Sequence, residues 1–281
     1  MDNLVSTEWL ASQIGTPGLN VFDATKYLPN EGRDGATEFR AAHIPGARFF
    51  DIDVVADPET TLPHMVPSPG RFERLMGEMG VGNDSAVVFY DQKGIASSAR
   101  GWWLMGLFGH ERAAVLDGGL PKWLRENRPV EAGEAKPAPA SRYRASFRAE
   151  RLRGIGDMMA AGEDGRIVLD ARPAGRFAGT APEPRPGLPS GHMPGSRSLP
   201  SSDLLRADGV MLPPAELRAR FASIGVDGRA PVVTSCGTGV TATILTLGLV
   251  QAGLPPGAVY DGSWTEWASR PDTPKENTGA R

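Results

Sequence analysis

The single cysteine of the chain lies in Ser235-Cys236-Gly237-Thr238-Gly239-Val240-Thr241, between the apolar stretches Pro231-Val232-Val233-Thr234 and Ala242-Thr243-Ile244-Leu245-Thr246-Leu247-Gly248-Leu249-Val250. The first stretch reads as a buried strand and the second as a helix, which puts Cys236 on a loop at a helix start. A helix start carries unpaired amides and about half a positive charge, an environment that favours thiolate over thiol. Gly237 and Gly239 let those amides converge on one small anion, and Thr238 and Thr241 add hydroxyls. A lone cysteine is more often a small buried hydrophobe. The composition of this loop argues instead for an activated nucleophile.

The loop also narrows the reaction. A cysteine phosphatase grips its phosphate dianion with an arginine six residues after the cysteine, and that position is Ala242. Residues 237–241 bear no charged side chain, which suits a small, singly charged or neutral sulfur group. A protease would need a base for the thiol and pockets for a peptide, and the sequence offers a sign of neither. Sulfur transfer through a cysteine persulfide asks only for a stabilised thiolate and amides around the outer sulfur. One cysteine excludes an intrachain disulfide and a multi-cysteine metal site. His43, His64, His110 and His192 show no ligand spacing, so neither metal nor organic cofactor is expected.

The elements that hold this loop must come from more than one domain, because 281 residues exceed a typical single domain. Apolar residues make up 40% and charged residues 22%, a globular balance. The 30 basic and 33 acidic residues give a net charge of -3, so nothing calls for nucleic acid. No apolar run reaches the roughly 20 residues of a membrane span, and a membrane partner is not expected. Met1-Asp2-Asn3-Leu4-Val5-Ser6 lacks the marks of a signal peptide, which makes a cytoplasmic location the expectation.

The order of elements follows from periodicity and punctuation. Ser6 reads as a helix cap, Leu19-Asn20-Val21-Phe22-Asp23 as a strand, and residues 51–70 as an irregular stretch that carries Asp53 and His64. Helical spacing covers 71–79, Ala86-Val87-Val88-Phe89-Tyr90 is a buried parallel strand, and a helix is expected over 95–108. Ala113-Ala114-Val115-Leu116 is a further strand, followed by a helix with Pro121 in its first turn. Residues 129–145 have linker composition.

After the linker the same series is played again. Val168-Leu169-Asp170 echoes Val21-Phe22-Asp23, and His192-Met193-Pro194-Gly195 echoes His43-Ile44-Pro45-Gly46. Val232-Val233-Thr234-Ser235-Cys236 echoes Val87-Val88-Phe89-Tyr90-Asp91, and Asp261-Gly262-Ser263 echoes Asp117-Gly118-Gly119, all at nearly constant spacing. The expected architecture is therefore two copies of one α/β domain, each a mostly parallel sheet flanked by helices, over 1–128 and 146–281. In such sheets the site lies at the carboxyl ends of the strands. Cys236 occupies that place in the second copy and Asp91 in the first, so only one copy can be thiol-active.

The repeat acts as an internal control. His43, His192, Asp117, Asp261, Trp123 and Trp267 occur in both copies and are expected to be structural. Trp102 and Trp103 read as core, and His110 as a polar helix terminus. His64 has no counterpart in the second copy.

Two copies with Cys236-Gly237-Thr238-Gly239-Val240-Thr241 in the second only, two His-x-Pro-Gly motifs and Tyr260-Asp261-Gly262-Ser263-Trp264-Thr265-Glu266-Trp267 resemble a tandem rhodanese-type sulfurtransferase over nearly the whole chain. The loop is similar to that of the branch that uses 3-mercaptopyruvate, departing at Thr238, where that branch has serine. The resemblance implies that Arg176 and Arg185 grip the substrate's carboxylate and ketone. It implies that Asp53, His64 and Thr238 form a proton relay, and that Gly237, Gly239, Val240 and Thr241 surround the persulfide of Cys236. It also implies release of pyruvate and an acceptor such as cyanide, a small thiol or a thioredoxin-like protein. The alternatives are thiosulfate:cyanide sulfurtransfer and a non-catalytic tandem binding module.

Overall fold

The computed structural model describes residues 1–160 and 165–279, so 161–164 and 280–281, within the second expected copy, lie outside the described residues. Among the described residues ten strands build two sheets. The first holds β1 (Leu4–Val5), β2 (Leu19–Asp23), β3 (Arg48–Phe49), β4 (Ala86–Tyr90) and β5 (Ala113–Leu116). The second holds β6 (Leu152–Arg153), β7 (Ile167–Asp170), β8 (Arg197–Ser198), β9 (Val232–Ser235) and β10 (Ala258–Tyr260). Their orders, β1-β5-β4-β2-β3 and β6-β10-β9-β7-β8, are one arrangement used twice. Every pairing between these strands is parallel.

The strands that read as continuous apolar runs are covered on both faces, as parallel strands flanked by helices must be. Val87 to Tyr90 of β4 and Val232 to Ser235 of β9 are all buried. The helix Ser98–Leu107 of the first copy packs on Ala242–Gln251 of the second. Both are buried on almost every face, which is why neither shows a polar stripe. Their side chains join one core, with Phe89, Trp103 and Met105 on one side and Leu169, Ile244 and Leu247 on the other. The two copies are thus pressed together along the helices that follow Asp91 and Cys236.

The features shared by both copies brace matching corners. His43 Nδ1 lies 2.8 Å from Phe39 O and its ring stacks on Phe39; His192 Nδ1 lies 2.9 Å from Phe177 O and stacks on Phe177. Trp123 and Trp267 donate their indole N–H to Pro129 O and Pro274 O, both at 2.7 Å. The stretch of linker composition is laid along the first copy instead of hanging free. Glu131 pairs with His43, Ser141 N donates to Gly77 O, and Tyr143 is buried edge-on against Phe72. No helix among the described residues is long and apolar enough to cross a membrane.

Candidate active site

Cys236 follows directly on β9 and is 2% exposed. Its amide donates to Ser263 Oγ at 3.1 Å and its carbonyl accepts from Trp264 N at 2.9 Å, while Gly237 O accepts from Thr265 N at 2.9 Å. The loop then turns through Gly239 at φ +75, where a Cβ would meet Asp261 O at 2.8 Å and Arg100 Nη1 at 3.1 Å. Glycine is needed there for both conformation and space. None of the amides of residues 237–241 donates to an acceptor among the described residues.

The first copy demonstrates what such a loop accepts. Asp91 Oδ1 takes the amide of Lys93 at 2.9 Å, and Oδ2 takes those of Ala96, Ser97 and Ser98 at 2.7, 2.9 and 2.9 Å. A side-chain anion therefore fills this loop, and the helix expected from 95 begins only at Ser98 because the carboxylate holds the preceding amides. By the repeat, the matching space in the second copy lies beside Cys236.

Cys236 opens on a cavity of about 330 Å³ between the two copies. Lys26 and His64 line it from the first copy; Arg176, Arg185 and Thr238 line it from the second. Arg176 donates through Nε and Nη2 to Glu183 Oε2, and Nη1 has no acceptor among the described residues. Glu183 is fixed in turn by Arg172, whose Nη1 donates to Oε1 at 2.7 Å and whose guanidinium also grips Asp170 and lies 4.5 Å from the centroid of the Trp264 ring. Arg185 makes no hydrogen bond or ion pair with a described residue. Burial pulls its pKa below the ordinary arginine value, although Asp53 and Cys236 oppose that.

Across the cavity His64 Nδ1 lies 2.8 Å from Thr238 Oγ1, and His64 Nε2 lies 3.0 Å from Asp53 Oδ1. Lys26 Nζ contacts the other oxygen of Asp53. The hydrogen bond from His64, followed by Lys26, holds Asp53 well below the usual carboxylate range even though burial opposes it. Burial pushes His64 below its ordinary value of 6.5; Asp53 pulls it back up, while Arg185 and Arg100 push it down. Burial thus favours the neutral form of an imidazole that lies between a hydroxyl and a carboxylate, the arrangement of a general base with its orienting group. Of the ten residues singled out from the sequence, eight line the cavity; Asp53 stands behind His64, and Gly239 faces away toward Asp261 and Arg100.

No motif or repeat in the sequence singles out Arg100 or Glu183 as site residues, and recurrence in both copies marks Asp261 as a brace. Arg100 is 1% exposed and donates to Gly239 O at 3.2 Å, His64 O at 2.6 Å and Asp261 Oδ1 at 2.8 Å. Asp261 Oδ2 accepts from Val66 N at 2.6 Å. One buried pair therefore ties the cysteine loop of the second copy to the carbonyl of His64 and the amide of Val66 in the first, with His64 at φ +64. The matching Asp117 crosses the other way, taking Met211 N at 2.9 Å. A feature common to both copies can thus serve the seam between them. A lone arginine in an otherwise apolar helix was the available signal.

Comparison with known proteins agrees with this layout. The rhodanese-like domain family matches twice, at residues 6–126 and 155–270. The chain belongs to the rhodanese family. Among curated relatives of this rhodanese, human 3-mercaptopyruvate sulfurtransferase is 42% identical over 274 residues, covering 95% of this chain and 92% of its own. A protein of Arabidopsis thaliana named thiosulfate/3-mercaptopyruvate sulfurtransferase 1, mitochondrial, is 40% identical over 295 residues, covering 98% and 78%. The crystal structure of SseA from Escherichia coli, described as a 3-mercaptopyruvate sulfotransferase, superposes with a TM-score of 0.84 at 36% identity, covering 94% and 99%. In this tandem rhodanese the cysteine loop belongs to the second matched span and His64 to the first.

Proposed function

We propose that this protein moves sulfane sulfur from 3-mercaptopyruvate through a persulfide on Cys236 to an acceptor, releasing pyruvate. The Cys236 thiolate attacks the donor's sulfur, a sulfur–sulfur bond forms and the carbon–sulfur bond breaks. Its electron pair leaves with the carbon as pyruvate enolate. The proton first carried by the donor's sulfur ends on that carbon, so atoms and charge balance without a cofactor. Thr238, His64 and Asp53 carry the proton, Arg176 and Arg185 hold the carboxylate and carbonyl, and amides of 237–241 surround the outer sulfur. Arginine suits that task because its fork of donors matches a planar α-keto acid. The outer sulfur then passes to cyanide, a small thiol or a reduced thioredoxin-like protein.

The observation that carries the choice of donor is the hydrogen bond between His64 and Thr238 across the cleft, 2.8 Å long, beside the buried cysteine. An enolate needs a proton, whereas sulfite departs from thiosulfate as a stable anion and needs none. The uncharged loop side chains and the names of the relatives support the same donor. Thiosulfate is the second reading, favoured by the Arabidopsis relative, whose name carries both donors. Steady-state rates with each donor decide between them, and a higher kcat/KM for thiosulfate overturns the first. Intact mass after exposure to donor tests the chemistry itself: gain of one sulfur atom on Cys236 is expected, and its absence with both donors favours a binding module.

A further inference from the structure

The two copies differ at the corner behind the nucleophile. After β5 the chain turns through Asp117-Gly118-Gly119, and after β10 through Asp261-Gly262-Ser263. Gly119 has φ +52 and Ser263 has φ +50. Both copies thus use left-handed backbone at the same step, which glycine adopts freely and serine resists. A Cβ on Gly119 would lie 2.4 Å from Asp91 O and 2.5 Å from Gly94 O, so the first copy has no room for a side chain. The second copy carries one in spite of the conformation. Its hydroxyl is fully buried and fully engaged, accepting the Cys236 amide at 3.1 Å and donating to Tyr260 O at 2.7 Å.

The anchoring of the two loops follows opposite logics. In the first copy Asp91 organises its loop from within, through its own carboxylate, and the corner supplies one bond, Leu120 N to Asp91 O at 3.0 Å. Gly119 has no hydroxyl and Pro121 no N–H. In the second copy the side chain at this position must stay free to react and cannot organise anything. There the corner supplies three bonds, from Ser263, Trp264 and Thr265, to residues 236 and 237.

We infer that Ser263 is a positioning residue for the nucleophile: its hydroxyl pins the Cys236 amide from behind, so that Sγ and the amides of 237–241 keep a fixed mutual direction while none of them is used for anchoring. The kinetic arm of its test rests on the sulfurtransfer reading above; the chemical arm does not.

The experiment compares Ser263→Gly, which installs the residue of the first copy and removes the strain, with Ser263→Ala, which keeps the strain and removes the bond. The glycine variant trades the relieved strain against an unpaired Cys236 amide, terms of similar size, so it should melt within about 5 °C of the wild type. Misdirecting a reacting group costs up to about a hundredfold, so both variants should lose about tenfold to a hundredfold in kcat with mercaptopyruvate, KM staying within about twofold. Alkylation of Cys236 by iodoacetamide at fixed pH should slow several-fold in both. A glycine variant with wild-type kcat and alkylation rate overturns the inference, as does a loss of both that merely tracks a lowered melting temperature. Should the wild type itself fail to turn over mercaptopyruvate, the proposed function falls, and the alkylation rates still decide the role of Ser263.

Discussion

Thr238→Val is the substitution that separates proton handling from everything else the loop does. Valine keeps the shape of threonine and deletes the hydroxyl, in a residue only 7% exposed, so the turn itself is undisturbed. His64 Nδ1, 2.8 Å from that hydroxyl, then has nothing to bond. Leaving a buried polar atom unpaired costs about 1–3 kcal/mol. Expressed in the barrier of a step that needs the relay, that is about 5- to 150-fold, at about 1.4 kcal/mol per decade. General acid–base assistance of about 10²–10⁴-fold is also at stake, which places the expected loss toward the upper end of that span. Initial rates of pyruvate release from mercaptopyruvate should therefore fall by about a hundredfold. Thiocyanate formation from thiosulfate and cyanide, whose leaving group needs no proton, should change by less than about threefold. Thr238→Ser should behave as wild type on both. Equal losses on the two donors would refute the argument, because they would mean that the hydroxyl supports the loop and not the proton.

Arg185→Gln removes a half-buried cation with no hydrogen-bonded partner among the described residues, so the melting temperature should hardly move. KM for mercaptopyruvate should rise about tenfold to a hundredfold, the worth of a charge-assisted hydrogen bond; unchanged KM would remove Arg185 from the donor site. Asp53→Asn takes away the group that raises His64, so neutral His64 should persist to lower pH and the acid limb of kcat/KM should move downward while the plateau falls. An upward shift would contradict the assignment. The sign for stability is related: because folding lowers the pKa of His64, its contribution is intact above 6.5 and is lost as pH falls through that value toward the folded pKa. Asp261→Asn leaves Arg100 buried without its counter-charge, which costs about 3–5 kcal/mol. At about 2–4 °C per kcal/mol, calorimetry should show a drop of about 6–20 °C; a change smaller than about 2 °C would show that the seam does not depend on the pair.

Much of the fold was legible because parallel strands covered on both faces are largely apolar, and β4 and β9 announced themselves in that way. The duplication was legible because the same turn and brace residues recur in order. What periodicity could not show is where one copy leans on the other. Arg100 sits in a helix whose neighbours, Trp102 and Trp103, are core, and only the packing of that helix against Ala242–Gln251 directs its guanidinium at Gly239 and His64. Asp261 was read as a brace because it recurs, although its bonds cross between copies. The start at Ser98 was missed because it is set by a carboxylate several residues upstream, a contact made by a side chain and not by the pattern of apolar positions. Lys26, which touches Asp53, lies in a loop with no periodicity at all.

The loop of Asp91 and the loop of Cys236 also differ in when they are complete. The first carries its counter-anion permanently and is finished as soon as it folds. On the proposed mechanism the second would acquire a comparable partner for its amides only when sulfur is stored on the cysteine, and the persulfide would act as a covalently held ligand for the folded form. Loading should therefore make the protein harder to melt and slow hydrogen exchange at residues 237–241, and an acceptor that removes the sulfur should reverse both. The heat stability of the chain becomes a gauge of how much sulfur it is carrying.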